Sequence, residues 1–208
     1  MMIIKGARTV HPMMVPDILD NIRELLGVEI YPIGSTACQY RDSKDVDILV
    51  DSNEITEKYG FKNPRDAIVH ICRTNDLETV QKGVSVHVKY PYGVGFIQVD
   101  VMVTEHASEI QFFHVHRIPK WSPYKGRHRH ILLNHLARKK SLKWSPYRGL
   151  VDRKSDRLIT RDPDEVAQLL IGENAYDDNI TSADAILSAL PDSDSILKEL
   201  LSDPAWNN

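Results

Sequence analysis

Gly34-Ser35, followed ten residues later by Asp45-Val46-Asp47-Ile48-Leu49-Val50, is the stretch on which the fold turns. The glycine and serine end an expected strand over residues 28–33. A second run, Phe96-Ile97-Gln98-Val99-Asp100-Val101-Met102-Val103, sets a third aspartate inside an apolar strand pattern. Side chains alternate faces along a strand, so Asp45 and Asp47 project to one side while Val46, Ile48 and Val50 project to the other. The same count puts Ile97, Val99, Val101 and Val103 opposite Asp100. Each strand therefore buries an aliphatic row and offers carboxylates to a cleft, and if the strands are neighbours the three carboxylates converge.

Like charges gathered in this way repel unless a cation neutralises them. Hard oxygen ligands suit magnesium or manganese, which usually bind carboxylates together with substrate phosphates. Two such ions can clamp the attacking and leaving oxygens of an in-line displacement. The Gly34-Ser35 turn supplies the complementary part, because glycine permits close backbone approach and turn amides and hydroxyls can cradle a phosphate. Residues 36–40 are expected to form the short helix that such a turn opens. Taken alone, an Asp-x-Asp strand is ordinarily a solvated face, and a Gly-Ser pair is an ordinary turn. Their order, and the aliphatic back face of both carboxylate strands, favour a site, because surface charges need no buried apolar partner row.

With these residues in place, the chain resembles the nucleotidyltransferase superfamily of DNA polymerase beta, and within it the palm and thumb of the family X DNA polymerases. Gly34-Ser35 resembles the family's Gly-Ser, at the family's spacing from the first aspartate. Asp45, Asp47 and Asp100 resemble its three metal-binding aspartates. Tyr124-Lys125-Gly126-Arg127, the helical pattern over residues 129–140, and Leu142-Lys143-Trp144-Ser145-Pro146-Tyr147-Arg148-Gly149-Leu150 resemble its nucleotide-contacting turn, helix and following strand. Asp162-Pro163-Asp164-Glu165-Val166, continuing to Tyr176, resembles the helix after that strand. The likeness covers residues 25–180. It implies two Mg2+ (or Mn2+) ions held by the aspartates, with Gly34, Ser35, Lys125, Gly126 and Arg127 on the nucleotide. Where the family often has arginine, this chain has Cys38 and then Gln39, so Arg41 is expected to meet the triphosphate; the family's arginine after the third aspartate is Met102 here. Only 44 residues precede Asp45. The expectation is a minimal palm without the DNA-gripping domains that precede it in family X.

Net charge is −3, but it is unevenly spread: residues 117–154 hold twelve Lys/Arg and one Asp, and residues 162–208 hold eleven Asp/Glu and one Lys. The basic block can neutralise a triphosphate or a nucleic-acid backbone, with Arg129, Lys139 and Lys140 the candidates for nucleic acid. The competing reading is two oppositely charged helical faces that pair with each other. Trp121, Tyr124, Trp144 and Tyr147 interleave with the basic residues. Aromatics so placed can stack bases, though Trp144 and Tyr147 read better as core anchors. Nine histidines raise zinc, but His114 and His116, like His128 and His130, are two apart and diverge on a helix. His128 or His130 touching a phosphate is the better expectation. Cys38 and Cys72 lack metal-ligand spacing, and Cys72 reads as a small buried hydrophobe. The 208 residues suffice for one domain or two small lobes. No apolar run approaches a membrane span and no secretory signal opens the chain, so the expected location is cytoplasmic.

The fold expected is α/β (α+β): a small mixed sheet forming a palm over residues 1–116 and a helical, thumb-like lobe over residues 117–208. Helices are expected at 15–26, 76–82, 108–116, 129–140, 162–171, 182–190 and 195–201. Strands are expected at 28–33 and 46–50, with a hairpin of 84–90 and 95–103 around Pro91-Tyr92-Gly93 and a short hairpin in 150–160. Ser85, His87 and Lys89 then share the cleft side. The function expected is transfer of a nucleoside monophosphate from a nucleoside triphosphate to an acceptor hydroxyl, with release of pyrophosphate. A nucleic-acid 3′ end fits the basic block; a small molecule or protein hydroxyl fits the missing duplex-binding domains. From a different class comes a non-catalytic nucleic-acid-binding protein built on a decayed palm.

Overall fold

The computed structural model describes residues 4–38, 42–115 and 117–207. The chain divides into two compact units, Met1–Gln111 and Phe112–Asn208, in a mixed α/β fold.

The first unit opens with helix α1 (Val15–Leu26), whose Val15, Ile18, Leu19, Ile22 and Leu26 form one buried stripe. Burying each such side chain contributes about 1.5–3 kcal/mol relative to exposure. Gly27, at φ +59, ends the helix in the left-handed conformation that glycine adopts without penalty. Then follow β1 (Tyr31–Pro32), β2 (Asp45–Asp51), α2 (Ser52–Tyr59), α3 (Pro64–Thr74), β3 (Glu78–Lys82), β4 (Ser85–Tyr92), β5 (Gly95–Thr104) and the start of α4 (Ala107–His114), whose last three residues count with the second unit. The sheet order is β1-β2-β5-β4-β3. β2 and β5 run parallel while their outer neighbours are antiparallel. The parallel pair requires a long crossover, which α2, α3 and the β3–β4 hairpin supply. Asp51 fixes its first turn: its side chain accepts the Asn53 amide and caps α2.

One face of this sheet is the aliphatic row expected from the alternation. Val46, Ile48, Val50, Val86, Val88, Ile97, Val99 and Val101 cluster with the apolar stripes of α1 and α3. Cys72 belongs to the same core, and burial pushes its thiol up to about 11. Hydrophobic residues thus hold one face closed, so the opposite face is where the carboxylates must emerge.

Three expectations are corrected. Residues 28–33 are not a full strand: the strand is Tyr31–Pro32, against Leu49 and Ile48 of β2, and Ile33 adds one hydrogen bond to the Asp47 carbonyl at 3.0 Å. Residues 76–82 are not a helix. Asp76 takes φ +57 directly after α3, and the β-branched Thr79 and Val80 lie in β3, joined to β4 through Gly83 at φ +60. The β4–β5 turn is Gly93-Val94 rather than residues 91–93, because Pro91 and Tyr92 continue the ladder against Phe96 and Gly95.

The second unit contains α5 (Gly126–Lys139), β6 (Leu142–Ser145), β7 (Gly149–Asp152), β8 (Leu158–Thr160), α6 (Pro163–Leu170), α7 (Ala183–Ala189), α8 (Ser193–Leu201) and α9 (Pro204–Asn207). The expected helical lobe therefore also carries an antiparallel sheet of order β6-β7-β8. Leu132, Leu133 and Leu136 form the buried stripe of α5, as their spacing requires. Trp144 is a core anchor, edge-on to Phe113 at 4.7 Å. Asp162 and Ser182 cap α6 and α7. Among the described residues no helix is long and apolar enough to cross a membrane.

Candidate metal centre

Strand register decides this site. β2 and β5 pair in parallel with Asp47 opposite Asp100 and Asp45 opposite Gln98. On the other side of β5, β4 places His87 opposite Asp100. Alternation sends all of these side chains to the face away from the aliphatic core. The three aspartates each offer a carboxylate oxygen, and these oxygens lie within 4.8 Å of one another. Asp45 and Asp100 are 4% and 7% exposed, and Asp47 is half-buried.

Electrostatics follow from that crowding. Burial, then the charges of Asp45 and Asp100, push the Asp47 carboxyl up from its ordinary value to about 8. Asp45 is raised by burial first and by Asp100 second, with partial relief from a Ser43 hydrogen bond and from His87. Asp45 Oδ2 is buried and has no hydrogen-bond partner among the described residues. A buried oxygen without a donor is costly, and a cation supplies what the protein does not. Three convergent hard-oxygen ligands, one of them orphaned, fit a metal: this group could hold a metal ion.

The glycine–serine turn has a local structural role. Gly34 sits at φ +56, and a Cβ there would lie 2.9 Å from Asp47 Oδ2. The glycine thus makes room for the second carboxylate as well as permitting the turn. Thr36, almost fully buried, accepts the Asp47 amide at 2.8 Å. The Ser35 hydroxyl is 3.0 Å from that of Ser43, which in turn donates to the Asp45 carbonyl at 2.6 Å. The turn is therefore stitched to the carboxylate strand. Residues 36–38 form a turn rather than a helix. Gln39, Tyr40 and Arg41 lie outside the described residues, and with them the proposed triphosphate contact at Arg41.

The remaining candidates belong to the second unit. Lys125 precedes α5 as its N-cap, and Lys125 and Arg127 are exposed beside Gly126. Arg129 is corrected: it is 1% exposed and cannot join a basic surface. Its guanidinium donates to the carbonyls of Ile180 at 2.5 Å, Val115 at 2.8 Å and Phe113 at 3.2 Å. Burial, then the charge of Arg117, lowers it to about 9. His128 is likewise not a phosphate contact. It is buried, its Nδ1 accepts the Lys125 amide at 2.7 Å, and its Nε2 therefore carries the proton that goes to the Trp206 carbonyl at 3.0 Å. Lys139 donates to Glu199 at 2.9 Å, whereas Lys140 is exposed at the end of α5.

Sequence reasoning put His87 on the right face but gave it no role, and it missed Gln98, Thr36 and Ser43. His87 Nδ1 is 2.6 Å from Asp100 Oδ1, and Gln98 Nε2 donates to the same oxygen at 2.8 Å. The signal for both was available in the period-two pattern, given the correct hairpin register.

Comparison of the chain with models of known protein families and with curated proteins returns no match.

Proposed function

We propose that this chain is a metal-dependent nucleotidyltransferase that moves a nucleoside or deoxynucleoside monophosphate from its triphosphate to an acceptor hydroxyl and releases pyrophosphate. The observation that carries the reading is the convergence of Asp45, Asp47 and Asp100 around a buried oxygen that has no donor. Two Mg2+ (or Mn2+) ions, when bound, supply Lewis-acid stabilisation of the charge that develops on the phosphoryl group. Asp45 and Asp47 hold them from one strand, and Asp100 approaches from the neighbouring strand on the acceptor side. Gly34 keeps the turn close to Asp47, and the backbone amides of the turn at Ser35 are assigned to the triphosphate. The resemblance to polymerase beta-like enzymes supports this assignment of roles.

For the acceptor, a nucleic-acid 3′ end is the first reading, supported by exposed Lys125, Arg127 and Lys140. A second reading, a small-molecule or protein hydroxyl, gains support because Arg129 is buried and Lys139 is paired within the second unit. The test is incubation with each labelled NTP and dNTP, Mg2+ or Mn2+, and a panel of single strands, tRNA, primed duplex and no nucleic acid, read by mobility and mass. Metal-dependent extension of a strand supports the first reading. Label on protein or a small molecule supports the second. Consumption of no nucleotide under any condition sinks the proposal.

A further inference from the structure

Asp100 differs from its two partners in how it is held. Among the described residues, both side-chain hydrogen bonds on its carboxylate fall on one oxygen, Oδ1: His87 at 2.6 Å and Gln98 at 2.8 Å. The side chains of His87 and Gln98 are buried, at 6% and 0% exposed. Gln98 is itself oriented by the chain's beginning, since its Oε1 accepts the Ile4 amide at 2.6 Å. A backbone amide can only donate, so that end of the side chain must be the oxygen, and the NH2 must face Asp100. A carboxylate can only accept when ionised, so the assignment is over-determined from both ends. Asp45 is held more loosely: Ser43 Oγ reaches its Oδ1 at 3.4 Å, and among the described residues its Oδ2 is left without a donor.

We infer that His87 and Gln98 are positioning residues. They clamp Oδ1 of Asp100 and leave Oδ2 to the cation, and the Ile4 amide fixes the clamp by holding the Gln98 amide in one orientation. The inference rests on the metal reading of the three aspartates, but not on the identity of the reaction. Second neighbours of this kind orient a ligand and typically change metal affinity by about 10–100-fold when removed. A merely structural role predicts something else. Buried polar groups that only satisfy one another would lose stability on substitution and leave the affinity of the folded protein for metal unaltered.

Geometry provides a conservative control. The amide nitrogen of asparagine can occupy the place of histidine Nδ1, whereas that of glutamine reaches the place of Nε2. The experiment is Mn2+ titration of the full chain without nucleotide, followed by the free-Mn2+ signal in electron paramagnetic resonance, alongside thermal melting in EDTA. His87→Leu and Gln98→Met are expected to weaken Mn2+ binding by about 10–100-fold, and His87→Asn to recover most of it while His87→Gln does not. If His87→Leu does not fold, Gln98→Met carries the test. Unchanged Mn2+ affinity in folded His87→Leu or Gln98→Met overturns the clamp, as does equal affinity of the Asn and Gln variants. A wild-type chain that binds Mn2+ through Asp45 and Asp47 but transfers no nucleotide defeats the proposed reaction and leaves the clamp standing. A wild-type chain that binds no Mn2+ overturns both.

Discussion

The carboxylates of β2 and β5 and the ionic side chains of the second unit both concentrate charge, but opposite charges pair off many of the second set while the first stays crowded with like charges. Asp45, Asp47 and Asp100 share a small space, where burial and then the neighbouring carboxylates raise the proton affinity of Asp45 and Asp47. In the second unit, Lys139 and His135 pair with Glu199, Arg148 and Lys143 with Asp156, and Arg117 with Asp178. The buried Arg129 finds carbonyls instead of acids. Charges that are already compensated ask for no ligand, whereas a cluster that repels itself is stable only because the surrounding core forces it. The block of twelve basic residues stands out in the sequence, yet the unrelieved crowding sits at the three acids, where His87 and Lys44 offset the repulsion on Asp45 only in part.

This contrast can be broken most sharply at Asp47. Asp47→Asn is expected to lower nucleotidyl transfer by about 10³-fold or more, since metal positioning supplies much of the barrier reduction. The same change should leave the EDTA-treated protein as stable as wild type or more so, because it removes a repelled carboxylate. Steady-state transfer assays and melting curves check both halves; retained turnover, or a large loss of stability, would erase the distinction drawn here.

Arg129 is the converse test. Arg129→Met strips donors from several buried carbonyls and should cost on the order of 3 kcal/mol in urea unfolding. Metal affinity should not change. A cost near zero would mean that the carbonyls find other partners.

A third measurement uses pH. The folded Asp47 carboxyl titrates at about 8, against an ordinary value of 3.8. The folded chain thus holds a proton that the unfolded chain has released, and stability without metal falls as pH rises through that window. Cation binding needs the ionised form, so the increase in melting temperature produced by Mn2+ should be larger at pH 8 than at pH 5.5. Equal increments at both pH values contradict the crowding that sets the first region apart.

The smallest effect belongs to Glu199. Glu199 and its partner Lys139 are exposed, with His135 half-buried beside them, and screened surface pairs contribute little. Glu199→Gln should leave the melting temperature unchanged within experimental error, and a marked drop would show that the second unit depends on its ion pairs after all.

How legible all this was depended on which physical rule governed each segment. The period-two alternation around Asp45, Asp47 and Asp100 is local, and it correctly assigned both faces of the sheet. Helix α1 was equally plain, its apolar stripe and terminal glycine both being short-range signals. The helix expected at 76–82 failed because pairing with β4 overrode weak local preference. Placing the turn at residues 91–93 would set His87 opposite Ile97, so a shift in the hairpin hid the His87–Asp100 pair. Arg129 misled for a simpler reason: composition cannot distinguish a solvated cation from one that closes buried carbonyls.

The parallel pairing of β2 with β5 has a consequence for how the molecule folds. β3, β4 and β5 are joined by tight turns and need only short loops, but β2 must meet β5 across the whole interval from Asp51 to Gly95. Closing a loop of that length costs about 3 kcal/mol by the logarithmic chain-entropy relation. Local hairpins are expected first and this non-local contact last. Asp45 and Asp47 then join Asp100 only as the sheet completes, so capture of Mn2+ during refolding should lag behind the bulk gain of secondary structure in stopped-flow traces; metal uptake that keeps pace with the earliest signal would show β2 docking at the start.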